Sequence, residues 1–227
     1  MQNNLGNTPT YIIVPAYNEA RYLGRFLDKL KGKVSLSRVI VVDDGSRDKT
    51  KAIAKEWGVT CLSHMVNLGK GAAMKTGCEY AFKKMKADSV IIMDGDDQHE
   101  VEDLKKFERE LKKGADIVLG VRRLDAKMPL MRVLGNKTIA ILINLLFHKY
   151  LADIPSGFKG FTKKAYKQIV WHSAGYEVET EIAVRIAKTN INYIEVPINT
   201  IYHDKEYGFN MIDAIRVLLK LPYWLWK

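Results

Sequence analysis

Short apolar runs alternate with amphipathic stretches through the first half of the chain. Tyr11-Ile-Ile-Val14 has strand length and stops at Pro15, which lacks the N–H that a central ladder needs. Leu23, Phe26, Leu27 and Leu30 recur at helical spacing and predict a helix over 19–31, capped by Asn18. Residues 38–42 form a second apolar run, and a helix from Asp48 follows, carrying Ile53, Ala54 and Trp57 and closing at Gly58. A short strand at 59–62 precedes the glycine-rich turn 67–71, from which a helix runs to about Lys86. A fourth strand at 90–93, a helix at 102–113 and a fifth strand at 116–119 complete this half. Such alternation predicts an α/β fold: a mostly parallel sheet with right-handed crossovers, flanked by helices.

The pattern then changes. Residues 134–150 read as an apolar helix, and 153–159 as a turn bearing Asp153, Ser156, Gly157, Phe158 and Lys159. Helices are predicted at 163–170 and 177–188, and strands at 193–196 and 198–202, separated by Pro197. The tail, 210–227, is an amphipathic helix with Ile212, Ile215, Leu218 and Leu219, ending in Tyr223, Trp224 and Trp226. With no repeat and no linker, the chain reads as a single domain over 1–227: a nucleotide-binding half to about residue 120 and an acceptor half after it.

Three predicted strands end in chemistry: Pro15-Ala-Tyr17-Asn18-Glu19, Asp43-Asp44-Gly45-Ser46 and Asp94-Gly95-Asp96-Asp97-Gln98-His99. In an open α/β sheet ligands bind at that edge. Asp94 and Asp96 share a side if the strand geometry continues. Hard oxygen donors suit Mg²⁺ or Mn²⁺, which also take phosphate oxygens, so the expectation is a divalent metal holding a diphosphate.

Charge sharpens this reading. Lys and Arg outnumber Asp and Glu by 36 to 26, a net charge of +10, which favours an anionic partner. Zinc-finger spacing, RNA-binding aromatic motifs and basic heptads are missing, so nucleic acid is not expected. Cys61 and Cys78 suit a reducing, cytoplasmic compartment. Residues 1–10 lack the apolar stretch of a signal peptide, and the run 139–147 falls short of the ~20 residues that span a bilayer.

In their order, Pro15-x-Tyr17-Asn18-Glu19, Val42-Asp43-Asp44-Gly45-Ser46, Asn67-x-Gly69-Lys70-Gly71 and Asp94-x-Asp96-x-Gln98 resemble the family 2 glycosyltransferases of the GT-A fold, a Rossmann-like fold. Asp153-x-x-Ser156-Gly157-Phe158 and Glu195-Val-Pro197-Ile198 are similar to the branch that includes dolichyl-phosphate mannose synthase and other polyprenyl-phosphate sugar transferases, and the likeness covers about residues 11–210. The resemblance implies an inverting transfer of a hexose from a nucleoside-diphosphate sugar of the GDP-mannose or UDP-glucose type to a polyprenyl or dolichyl phosphate. It places Tyr17, Glu19 and Asp44 around the nucleoside with Asp43 beside them, and Asp94, Asp96 and Gln98 on the metal. Pro15, Gly69, Lys70, Gly95, Arg122 and Lys205 complete the implied donor contacts. Arg123, Arg132, Ser156 and Lys159 are implied for the acceptor phosphate, and Asp96, Arg122 and Glu181 for catalysis. Where mannose synthases carry an Arg…Gly-x-Ser-Lys stretch, this chain has Tyr202 to Asn210, with only His203 and Lys205 as phosphate contacts.

The acceptor decides the need for a base. A hydroxyl needs one, for which Glu181 and Glu179 are the candidates, whereas a phosphate is already an anionic nucleophile. A lipid acceptor also calls for a membrane surface. The helix at 134–150 and the Trp-rich tail are the expected contacts, giving a peripheral protein on the cytoplasmic face; packing on the sheet or in a homo-oligomer interface is the alternative for both. Two rivals stand beside this reading. A sugar nucleotidyltransferase lacks its glycine-rich signature here, and a silent sugar-nucleotide-binding scaffold has no need of an intact Asp94-x-Asp96.

Overall fold

The computed structural model describes residues 9–122, 130–201, 220 and 223–224, with 130–136 described by backbone alone. Seven strands form one sheet: β1 (Thr10–Ala16), β2 (Val39–Asp43), β3 (Thr60–Ser63), β4 (Ser89–Ile92), β5 (Ile117–Arg122), β6 (Lys159–Thr162) and β7 (Tyr193–Ile198), in the spatial order β3-β2-β1-β4-β6-β5-β7. Only β6 runs antiparallel to its neighbours, so the mostly parallel sheet expected from the sequence is present. Among the described residues seven α-helices flank it: α1 (Leu23–Lys31), α2 (Thr50–Glu56), α3 (Lys70–Lys83), α4 (Leu104–Lys112), α5 (Leu130–Phe147), α6 (Lys163–Ile169) and α7 (Val178–Lys188).

Both faces of the central strands are buried, which is why these strands read as unbroken apolar runs. Alternate residues serve two cores. Ile13, Ile40, Val42, Val90 and Ile92 pack with Met74 and Phe82 of α3, with Trp171 of the segment after α6 and with Ile182 of α7. Ile12, Val14, Val39, Val41 and Ile91 pack with Leu23, Phe26, Leu27 and Leu30 of α1 and Phe107 of α4. Phe107 stacks on Phe158 at 4.0 Å between centroids, fixing the segment that leads into β6.

The elements depart from the sequence pattern at four places. α1 begins at Leu23, not at residue 19: Asn18 has a left-handed backbone, φ 55°, and its side-chain oxygen accepts from the N–H of Arg47 instead of capping α1. Residues 17–22 are thereby freed as a loop, closed by Tyr22 and Leu23 N–H groups on the Glu19 carbonyl. The predicted turn 153–159 leads straight into β6, a four-residue strand whose burial of Lys159 hides it from an apolar-pattern reading. β7 continues through Pro197 as one strand, because it lies at the sheet edge where the missing N–H costs no ladder bond. The second predicted strand, 198–202, reduces among the described residues to one bridge between Thr200 and His99.

Candidate active site

β2, β1 and β4 are adjacent and parallel, and Ala16 pairs in register with Asp43. Their carboxyl ends therefore bring the three polar motifs to one edge. After β4, exposure alternates: Asp94, Asp96 and Gln98 are half-buried, while Gly95, Asp97 and His99 are buried. The burial alternation carries past the strand, although the chain turns here and Asp97 has a left-handed backbone, φ 59°.

A row of alternating charge begins at Asp94. Lys70 Nζ, in the first turn of α3, lies 2.8 Å from Asp94 Oδ1 and 3.1 Å from Glu179 Oε1 on α7. Glu179 pairs in turn with Lys159 of β6, which also donates to the Ser156 carbonyl. Burial alone would favour a neutral Lys70, but Asp94 and Glu179 outweigh it and hold the ammonium above its usual range. The same contacts, with His99 Nε2 at 3.6 Å, overcome the burial of Asp94 and keep it ionised below the usual carboxylate range. Gly157 makes the row possible, since a Cβ there would lie 2.2 Å from Asp94 Oδ2 and 2.9 Å from Lys70 Nζ.

Glu19 and Asp96 have the opposite electrostatics. Burial, then the charges of Asp96, Asp94 and Asp48, push Glu19 up to about 8. Burial and Asp94 raise Asp96 as well, and no cation among the described residues pairs with it; its Oδ1 accepts from Gln98 N–H at 3.0 Å. Three carboxylates thus converge on a place where negative charge exceeds what Lys70 and His99 balance.

That excess, with oxygen-only donors, fits a divalent cation. Among the described residues no three His, Cys, Asp or Glu side chains are grouped so that they could hold a metal ion by themselves. A Mg²⁺ site for a nucleotide does not need such a group, because one or two carboxylates share the ion with phosphate oxygens and water.

The glycine turn 67–71 is built around Asp44. Its carboxylate accepts from Leu68 and Gly69 N–H at 2.9 and 2.8 Å, and His64 Nδ1 sits 2.6 Å from Oδ1. Gly69, at φ 99°, and Gly71 press against the 173–175 backbone, where a Cβ would lie 2.4 Å from the Ala174 carbonyl and 2.2 Å from that of Ser173. Trp171 Nε1 donates to the Gly71 carbonyl at 2.8 Å and closes the contact. Asp44, expected beside a nucleoside, is therefore the organiser of this turn, and Asp43 is buried with Ser46 N–H on its Oδ1. Pro15 is buried in β1, Gly95 is buried after β4, and Tyr17, in the same loop as Glu19, is 43% exposed.

Several expected contacts have other partners. Arg122, at the end of β5, grips Asp153 with Nε and a terminal nitrogen, each at 2.7 Å, so its fork is already engaged by a carboxylate. Lys159 is 3% exposed and is engaged by Glu179 inside the charge row. The Ser156 hydroxyl is buried with no hydrogen-bond partner among the described residues. Glu181, the expected base, is fully buried; it accepts from His172 and Ser173 N–H and from Arg185. Burial opposes its ionisation, yet these bonds hold it below its usual range, the reverse of what a base for a hydroxyl requires. Arg123, Lys205 and the side chain of Arg132 lie outside the described residues.

Tyr176 escaped the sequence reading. It is 46% exposed, one helical turn before Glu179. Its hydroxyl is raised by burial and feels Lys70, Asp94, Glu19 and Asp96, which places it at the mouth of the acidic group. A lone Tyr before a helix carries no sequence signal of this. Most of the tail lies outside the described residues; within it Trp224 is buried in the core beside α7, and Lys188 donates to its carbonyl, as in the packed alternative.

Comparison with known proteins agrees with the geometry. Residues 11–170 match the family model described as glycosyl transferase family 2. A UDP-N-acetylglucosamine–dolichyl-phosphate N-acetylglucosaminyltransferase of Methanococcus voltae is 30% identical, over 93% of this chain and 94% of that protein. A dolichyl-phosphate beta-glucosyltransferase of Trichomonas vaginalis is also 30% identical, over 92% of this chain and 72% of that one. Among solved structures, glucosyl-3-phosphoglycerate synthase from Mycobacterium tuberculosis, crystallised with Mn²⁺ and UDP, superposes with a TM-score of 0.74 at 17% identity, covering 96% of this chain and 80% of that one, and this likeness bears on the fold. The chain has the GT-A fold and belongs to glycosyl transferase family 2: it is a glycosyltransferase similar to those that act on polyprenyl phosphates.

Proposed function

We propose that the chain transfers a hexose, with inversion, from a nucleoside-diphosphate sugar to a polyprenyl or dolichyl phosphate. The observation that carries this reading is the pair of uncompensated carboxylates, Glu19 and Asp96, beside the ionised Asp94 at the sheet edge. Asp96, Asp94 and Gln98 hold the divalent metal. Bound there, Mg²⁺ or Mn²⁺ supplies Lewis-acid neutralisation of charge on the departing diphosphate. Lys70 keeps Asp94 anionic and oriented, and Tyr17 offers a ring face to the base. A phosphate oxygen of the acceptor forms the new bond to the anomeric carbon as the bond to the nucleoside diphosphate breaks on the opposite side. That nucleophile needs no base, which agrees with the engagement of both base candidates: Glu179 with Lys70 and Lys159, Glu181 with Arg185 and two backbone N–H groups.

The lipid acceptor implies a protein peripheral to the cytoplasmic membrane face. No helix among the described residues is long and apolar enough to cross a membrane. α5 instead buries Ala140 and Ile143 and exposes Ile141, Leu145 and Leu146, an apolar face suited to lie in the headgroup layer.

The test is a transfer assay with purified protein, Mn²⁺ or Mg²⁺, a polyprenyl phosphate in detergent and radiolabelled UDP-N-acetylglucosamine, UDP-glucose or GDP-mannose. Label is expected to move into the organic phase, and both chelator and Asp96→Asn are expected to abolish it. A donor that binds in a metal-dependent way yet never labels the lipid would overturn the phosphate acceptor in favour of a hydroxyl.

A further inference from the structure

We propose that Asp97 is a positioning residue for the metal site: clamped by Arg25 and Lys29 of α1, it locks the loop of Asp96 and Gln98 to the loop of Glu19. The inference deepens the functional reading above and rests on it.

Asp97 stands between two expected metal ligands, but its side chain has gone the other way. It is 0% exposed, whereas Asp96 and Gln98 on either side are half-buried. Arg25 Nε lies 2.6 Å from its Oδ2, and Lys29 Nζ lies 2.8 and 3.0 Å from its two oxygens. With both oxygens taken by cations, Asp97 is no ligand. Its backbone is left-handed, φ 59°, a conformation that disfavours most side chains. A buried carboxylate would itself be costly without partners, so the two cations and the strained turn support one another.

The clamp joins two particular loops. Arg25 and Lys29 sit in the first two turns of α1, which begins four residues after Glu19. Asp97 sits in the loop of Asp94 and Asp96. Once ionised to receive a cation, Glu19, Asp94 and Asp96 carry like charges, and their repulsion opposes the close approach of the two loops. Hydrophobic packing of α1 acts on the far side of the helix, through Leu23, Phe26, Leu27 and Leu30. Arg25–Asp97–Lys29 is an attraction of charges between the same two loops, placed outside the repelling group. It holds the oxygens together in advance of the metal, as outer partners do for many metal ligands.

The experiment compares Asp97→Asn and the double variant Arg25→Ala/Lys29→Ala with the unaltered chain. Asn keeps the size and tolerates the left-handed turn, and the double variant leaves the loop sequence untouched. Mn²⁺ binding is read by electron paramagnetic resonance with UDP or GDP present, and nucleotide binding is read separately in chelator. Both variants are expected to bind Mn²⁺ about tenfold more weakly, the lower end for loss of an outer partner, with metal-free nucleotide binding within about twofold. Should Asp97→Asn not fold, the double variant decides alone. Lowered melting temperatures with unchanged Mn²⁺ affinity would make the clamp merely structural and overturn the proposal. An unaltered chain that binds neither nucleotide with Mn²⁺ would overturn the functional reading together with it.

Discussion

Replacing Glu19 by Gln should stabilise the metal-free protein and weaken it as a donor site. An unperturbed glutamate titrates near 4.5, whereas Glu19 in the fold titrates at about 8, with burial the largest cause and Asp96 and Asp94 next. Between these values the folded chain holds a proton that the unfolded chain has released, so stability falls as pH rises. As far as this group is concerned, stability is fully present below 4.5, declines across the window and is lost once the pH passes 8. At neutral pH the gap from 4.5 corresponds to about 3 kcal/mol at ~1.4 kcal/mol per unit, which solvent at this half-buried group reduces to roughly 2 kcal/mol. Gln carries no charge and escapes the cost. For a chain of this length roughly 2 kcal/mol corresponds to a Tm higher by about 4–8 °C. The assay is scanning calorimetry of both proteins in chelator from acid to alkaline pH. The two Tm curves should meet in acid, separate as the pH rises from 4.5 and keep a constant gap once it passes about 8; adding Mn²⁺ with nucleotide should raise the unaltered protein more than the variant. Parallel curves across the range would refute the convergence of carboxylates from which the metal site is argued.

Three further outcomes are expected. Glu181→Gln should destabilise by about 2–4 kcal/mol, because a buried acceptor of the His172 and Ser173 N–H groups and of Arg185 is weakened, while the pH profile of kcat/KM keeps its acid limb; loss of that limb at normal stability would restore Glu181 as a base. Gly157→Ala should cost transfer on the order of 10²-fold with little change in Tm, since the added carbon meets Asp94 Oδ2 at 2.2 Å and shifts it against Lys70; kinetics beside calorimetry checks this. Arg122→Ala leaves Asp153 buried without its fork and should lower stability by about 3–5 kcal/mol, with Arg122→Lys recovering only part; denaturant unfolding measures both.

What the sequence displays is what local pattern controls. β1, β2 and β4 are apolar runs with polar ends, and their adjacency in the sheet assembles Glu19, Asp44, Asp94 and Asp96 at one edge. Partner choice between distant residues is not written locally. Lys159 looks like a free cation until Glu179, twenty residues on, is seen to hold it. Arg122 looks like a phosphate ligand until Asp153, thirty-one residues on, takes both sides of its fork. Asn18 has the type of a helix cap, but the Arg47 N–H outcompetes α1 for its oxygen. β6 is invisible for the same reason: Lys159 and Gly160 break the apolar pattern, and only burial between β4 and β5 makes them a strand.

The charge row also separates two acids that look equivalent in Asp94-x-Asp96. Asp94 is held ionised by Lys70 and His99, and its negative charge is largely answered inside the protein. Asp96 is raised by burial and by Asp94 itself, and Glu19 is raised beside it. An arriving cation therefore gains most from Asp96 and Glu19, where the field is least compensated, and less from Asp94, whose attraction Lys70 partly cancels. Under the proposed function Asp96 is the principal metal ligand. Asp94 is the hinge between the metal and the row, so any motion of α7 that withdraws Glu179 from Lys70 leaves the ammonium to Asp94 alone and weakens Asp94's hold on the ion.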